Sequence, residues 1–411
     1  MSFLYIDPGT GSMLFSVLIG VVSTLVFFAR KLFMKLKFSV SGGRTERISQ
    51  EKIPYVIFSD HKRYWNVFKP VCDEFERRGI AIQYWTASPD DEALNEHYEY
   101  VKCLFIGEGN KAFARLNMMN AGVVLSTTPG LDVYQWKRSR TVDCYVHIMH
   151  SVDEALGYRM FGLDFYDSVL LTGDFQGTYI RHLEKMRCIP AKELVTVGCT
   201  YMDSMASAAE KLAHSSQSGM KKILLAPSWG ASAILSRFGG RIIEALLATG
   251  YTVVVRPHPQ TLVSEKPLLD SLMAQYPESG QLHWNFDNDN FTVMSESDIM
   301  ITDFSGIIFD YTLIFDRPVI YADTSYDASP YDAAWFDGKL WRFDVLTKLG
   351  VPLQEESFGS LKEIIDNTLA SDAFQAGRDS VRDECWQNRG NAAVATVDYL
   401  IGKKVAEQKV S

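Results

Sequence analysis

The chain has 411 residues, 47% of them hydrophobic and 22% charged, a mix that excludes disorder as the dominant state. Its 41 Lys and Arg against 50 Asp and Glu leave a formal charge of −9, which argues against a nucleic-acid binder, since that normally needs a basic face. The six cysteines (Cys72, Cys103, Cys144, Cys188, Cys199 and Cys385) are dispersed with no C-x-x-C pair, so they give neither a disulfide framework nor a zinc site and read as reduced thiols.

Residues 1–40 differ from the rest and are predicted to form a membrane anchor. From Pro8 to Ala29 the chain runs 22 residues without a charge, and a helix of about 12–29 is long enough to span a bilayer. A cleaved signal peptide would start with positive charge. Here the first charge is Asp7, and Arg30, Lys31, Lys35 and Lys37 follow the apolar run. By the positive-inside rule the N-terminus lies outside and the body on the cytoplasmic side of the inner membrane.

Apolar runs then alternate with amphipathic stretches. The first set includes Tyr55–Phe58, Ile80–Ile82, Cys103–Ile106, Val123–Leu125, Tyr145–Ile148, Val169–Leu171 and Val195–Val197. Short apolar runs of this kind fit strands buried on both faces of a parallel sheet. This predicts an α/β domain over 41–213. The polar stretch His214–Gly219 reads as a linker, and a second alternating block over 220–411 predicts a second α/β domain. Its strand candidates are Ile223–Ala226, Tyr251–Val255, Ile299–Ile301 and Val319–Tyr321, with helices at Arg237–Ala248, Leu268–Tyr276 and, to close the chain, Ala393–Ile401. The fold class is thus two doubly wound domains facing a cleft.

In such sheets ligands bind outside the carboxyl ends of the strands. Three strand exits carry chemistry. Arg256-Pro257-His258-Pro259 holds a guanidinium and an imidazole on a stiff backbone, a pair suited to phosphate. At Thr302-Asp303-Phe304-Ser305-Gly306, followed by Ile307 to Tyr311, a strand gives way to a helix. Ser305 is the expected N-cap, and the amides of Gly306, Ile307 and Ile308 form an expected anion site. Asp303 would hold a hydroxyl or brace the turn. In Tyr145 to Ser151, His147 reads as a core histidine and His150 as a strand-exit group. Ser228 and Trp229, after the first strand of the second half, and Asp310 are lesser candidates.

Together these pieces resemble the CDP-glycerol:poly(glycerophosphate) glycerophosphotransferases, the teichoic-acid primases and polymerases, which are GT-B-like. Arg256-Pro257-His258-Pro259 matches the family's Arg-x-His-Pro motif, and Asp303-Phe304-Ser305-Gly306 with Phe309-Asp310-Tyr311 matches its Asp-Tyr-Ser-Ser turn and Phe-Asp-Tyr. His150 aligns with the family's catalytic histidine. The chain departs from the family at Ser151-Val152, in place of Gly-Thr, and at Pro227-Ser228-Trp229-Gly230, in place of Pro-Thr-Trp-Arg. The family's Gly-x-Pro-Arg-x-Asp is here Gly198-Cys199-Thr200-Tyr201-Met202-Asp203.

The resemblance implies a membrane-anchored transferase. It would use a CDP-activated polyol such as CDP-glycerol, with a lipid-linked saccharide or polymer as acceptor, and no cofactor. His150 is the expected base, and His258 with Arg256, Asp303, Ser305, Gly306 and Ile307 is the expected donor site; no metal ligand is expected. Two rivals stand beside it: a GT-B glycosyltransferase, which needs the same diphosphate site, and a non-catalytic tethered binding protein.

Overall fold

The computed structural model describes residues 52–212, 220–287, 289–322 and 327–408. The expected span at about 12–29 and the expected linker lie outside them. Among the described residues no helix is long and apolar enough to cross a membrane.

The first sheet has seven strands: β1 (Ile53–Ser59), β2 (Ile82–Thr86), β3 (Val101–Phe105), β4 (Asn120–Ser126), β5 (Thr141–Ile148), β6 (Ser168–Leu171) and β7 (Glu193–Thr196). All pair in parallel, in the order β3-β2-β1-β4-β5-β6-β7. The reason is in the side chains: Val56, Ile57 and Phe58 of β1 and Val123, Val124 and Leu125 of β4 are all buried, so neither face of the sheet is left to water. Helices cover both faces. The helix Trp65–Arg77 turns Phe68, Val71, Cys72 and Phe75, spaced i, i+3, i+4 and i+7, into one apolar core with Ile57, Tyr84 and Val123.

The second sheet has six strands: β8 (Lys222–Leu225), β9 (Thr252–Val255), β10 (Leu282–Trp284), β11 (Ile299–Thr302), β12 (Val319–Ala322) and β13 (Gly350–Leu353). They are also all parallel, in the order β10-β9-β8-β11-β12-β13. Each sheet therefore reverses its strand order beside its first strand, between β1 and β4 and between β8 and β11. The exits of those strands are where a doubly wound sheet opens a crevice.

Three features differ from the expectation. β10 and β13 are edge strands with weak signals, one only three residues long and the other opened by Gly350 and interrupted by Pro352. The expected helix Arg237–Ala248 is two helices, Ile234–Phe238 and Gly240–Leu247, broken at Gly239, whose φ of +55° suits glycine. The closing helix, Ala392–Gln408, does not stay with the second half. Val397 and Leu400 join the core of the first sheet with Phe68 and Val71.

The crossing back is built on the Gly198 to Asp203 segment. Gly198 has φ +97°, and a Cβ there would lie 2.6 Å from the carbonyl of Gln387. Asp203 accepts from Trp386 Nε1 (2.8 Å) and from the amide of Ala392 (3.1 Å). Both ends of that motif thus hold the returning chain.

Candidate functional site

At the exit of β5 the ring of His150 is half-buried and walled by protein. Its Nδ1 lies 2.7 Å from Thr127 Oγ1, at the exit of β4. Thr127 already donates its hydroxyl proton to the carbonyl of Ile148 (2.8 Å). A hydroxyl has one proton to give, so Thr127 must accept from His150, which places the imidazole proton on Nδ1 and leaves Nε2 as a lone-pair acceptor. The Tyr64 ring, after β1, packs 5.0 Å from the imidazole. Burial pushes His150 down to about 4, the nearby charges of Asp153 and Asp60 opposing and that of Arg63 adding to the effect. It is therefore neutral near pH 7. His147 is fully buried, with Nε2 2.9 Å from Tyr158 Oη.

His258, at the exit of β9, has the opposite arrangement. Its Nδ1 accepts the backbone N–H of Gln260 (3.1 Å), so the proton of the neutral ring sits on Nε2. Burial lowers it to about 4 as well, with Arg63 adding to the shift and Glu265 opposing it. The Trp229 ring stands 6.4 Å away. One imidazole can take a proton and the other can donate a hydrogen bond.

The turn after β11 holds its shape through Asp303, which is fully buried. Its Oδ1 accepts from the amides of Ser228 (2.8 Å) and Ser305 (3.1 Å), and its Oδ2 from the amide of Ile234 (3.0 Å). Burial raises it to about 6 against those three bonds, leaving it ionised at neutral pH. Asp303 braces the exits of β8 and β11 and turns no oxygen outward, which corrects its expected place among ligand contacts. Ser305 is not the N-cap either. The helix Ile307–Ile314 is capped by Gly306 without a side-chain bond, and the Ser305 carbonyl accepts from Ile308 (3.2 Å). The amides of Gly306 and Ile307 meet no acceptor among the described residues. A Cβ on Gly306 would meet nothing within 4 Å, so the helix start opens onto free space suited to an anion.

Arg256 is also corrected. Its Nε donates to Asn290 Oδ1 (2.7 Å), Nη2 to the carbonyl of Asp287 (2.7 Å) and Nη1 to Asn285 Oδ1. A guanidinium so occupied holds the loop after β10 instead of a phosphate.

Two contacts join the halves beside these turns. Tyr201 Oη donates to Asp310 Oδ2 (3.4 Å), and burial pushes Asp310 up to about 7. Arg342, in the helix Trp341–Leu349, donates through Nη2 to Asp153 Oδ2 (2.6 Å), through Nε to Glu154 Oε1 (2.6 Å) and through Nη1 to the carbonyl of Phe304 (3.2 Å). Asp153 in turn accepts from Ser151, next to His150. Sequence reasoning passed over Arg63, Tyr64 and Thr127, although the strand-exit rule applied to β1 and β4 would have found them. Arg342 has no local signal, because its partners lie 38, 188 and 189 positions away.

A family model for CDP-Glycerol:Poly(glycerophosphate) glycerophosphotransferase matches residues 177–392. A solved structure of the wall teichoic acid polymerase TagF is 15% identical, with a TM-score of 0.53, covering 86% of this chain and 90% of that one. A TagF variant soaked with CDPG is 14% identical, with a TM-score of 0.55 and coverage of 86% and 89%. At that identity the likeness is one of fold, and with two Rossmann-ordered sheets the fold is GT-B-like. A search of curated protein sequences finds no match.

Proposed function

Because the chain belongs to the CDP-glycerol:poly(glycerophosphate) glycerophosphotransferase family, we propose that this transferase moves glycerol phosphate, or a similar polyol phosphate, from a CDP-activated donor to a hydroxyl of a lipid-linked saccharide or cell-envelope polymer. The observation that carries this reading is the complementary hydrogen bonding of His150 and His258, which leaves Nε2 of the first to accept a proton and assigns an Nε2–H to the second.

His150 Nε2 takes the proton of the acceptor hydroxyl. The oxygen attacks the β-phosphorus in line, a new P–O bond forms, and the bond to the bridging oxygen breaks. CMP leaves with the bonding electrons. His258 Nε2–H and the open amides of Gly306 and Ile307 hold the phosphate oxygens and the charge that grows on the leaving group. Little covalent chemistry is asked of the protein beyond positioning and one proton transfer.

The acceptor class is supported by the activity for which the family is named and by the wall teichoic acid polymerase with which the fold compares. An anchor at residues 1–40 would tether the enzyme to the inner face of the cytoplasmic membrane and confine it to the surface that carries a lipid-linked acceptor.

The test is product analysis with full-length protein in membranes, CDP-glycerol and a lipid-linked saccharide. The expected products are CMP and an acceptor one phosphoglycerol heavier. A nucleoside diphosphate as product would mean glycosyl transfer, and no nucleotide release from any CDP-alcohol would overturn the proposal.

A further inference from the structure

We infer that Arg63 is the cation that receives the diphosphate of the donor, from the half of the molecule opposite His258. The inference rests on the donor reading above. A diphosphate brings negative charge that the second half does not neutralise. His258 is neutral, a helix start supplies only about half a positive charge, Arg256 is occupied by the loop after β10, and Asp303 adds a negative charge.

Arg63 has the position and the freedom to supply it. It lies in the short turn Lys62–Tyr64 after β1, at the point where the first sheet reverses its strand order. Its backbone is fixed, with its own N–H donating to His61 Nδ1 (3.2 Å) and that of Lys62 to Ser88 Oγ (3.0 Å). Its guanidinium lies 4.9 Å from the centre of the Tyr64 ring, and that ring lies 5.0 Å from His150. The side chain is exposed and has no carboxylate partner among the described residues, whereas the adjacent cation, Lys62, is paired with Asp90 at 2.5 Å. The positive charge of Arg63 adds to the lowering of both His150 and His258. A guanidinium held beside an aromatic ring and free of any carboxylate keeps N–H donors for phosphate oxygens.

The test uses the full chain with CDP-glycerol, reading CMP release and thermal stability together. Arg63→Ala should lower kcat/KM for the donor by about 10- to 100-fold, the worth of a charge-assisted contact. Its melting temperature should stay at the wild-type value, since the side chain is exposed. Arg63→Lys should recover part of the loss by keeping the charge without the fork, and Arg63→Glu should fall below Arg63→Ala. Wild-type kcat/KM in Arg63→Ala, in an enzyme that releases CMP, would overturn this inference alone. A lower melting temperature with unchanged kcat/KM per folded molecule would do the same by making the role structural. Absence of CMP release from the wild type would instead strike the donor reading on which the inference rests.

Discussion

At the scale of single residues, the account turns on which ring nitrogen carries a proton. Thr127 settles it for His150 by accepting from Nδ1 while donating to Ile148, and the Gln260 amide settles it for His258. Thr127→Val should therefore free the imidazole to adopt either tautomer. We expect the transfer rate to fall by up to about 10-fold, the usual worth of one hydrogen bond, with donor affinity unchanged; an unchanged rate would remove Thr127 from the mechanism. Asp310 offers a pH test. Burial raises its carboxyl from 3.8 to about 7, so the folded state holds a proton the unfolded chain has lost. The associated stability is full below pH 3.8 and is lost as pH rises through about 7. Asp310→Asn carries no charge to bury, so its melting temperature relative to wild type should climb as pH rises from 3.8 to about 7 and level off above that. A difference independent of pH would contradict the assignment. Strand-exit position made His150 and His258 legible in the sequence, but it could not show that Arg256 and Asp303 face inward. Their partners, Asn285, Asn290, Ser228 and Ile234, become neighbours only through the fold.

At the scale of elements, buried parallel strands were legible because continuous apolar runs such as Val253–Val255 and Ile299–Ile301 leave little alternative. β13 was not, since an edge strand tolerates a proline that would argue against a central one. The destination of the closing helix was also hidden, because an apolar stripe does not say which sheet it will cover. The helix Trp341–Leu349 shows how elements join the two halves. Arg342 ties the loop that carries His150 to the turn that carries Ser305, and it compensates the buried carboxylate of Glu154. Arg342→Ala strands that charge and should cost about 3–5 kcal/mol of stability. Chemical denaturation checks this, and a loss within about 0.5 kcal/mol, the range of ordinary surface substitutions, would show the strut to be dispensable.

At the scale of the whole molecule, two sheets with the same reversed strand order each present a neutral imidazole at a strand exit. Burial holds both histidines near 4 against an ordinary 6.5, so their contribution to stability is present above pH 6.5 and is lost as pH falls through about 4. The resting site is thus neutral at the two histidines to which the proposed reaction assigns proton transfer and phosphate binding. The division of labour between the sheets is the central claim, and it is tested by measuring CDP-glycerol affinity and transfer rate, per folded molecule, in His150→Ala and His258→Ala. His150→Ala should bind the donor as wild type does and lose about 10²–10⁴ in rate, the worth of a general base. His258→Ala should weaken donor binding itself. Near wild-type turnover in folded His150→Ala, or unchanged donor affinity and rate in His258→Ala, would contradict the account.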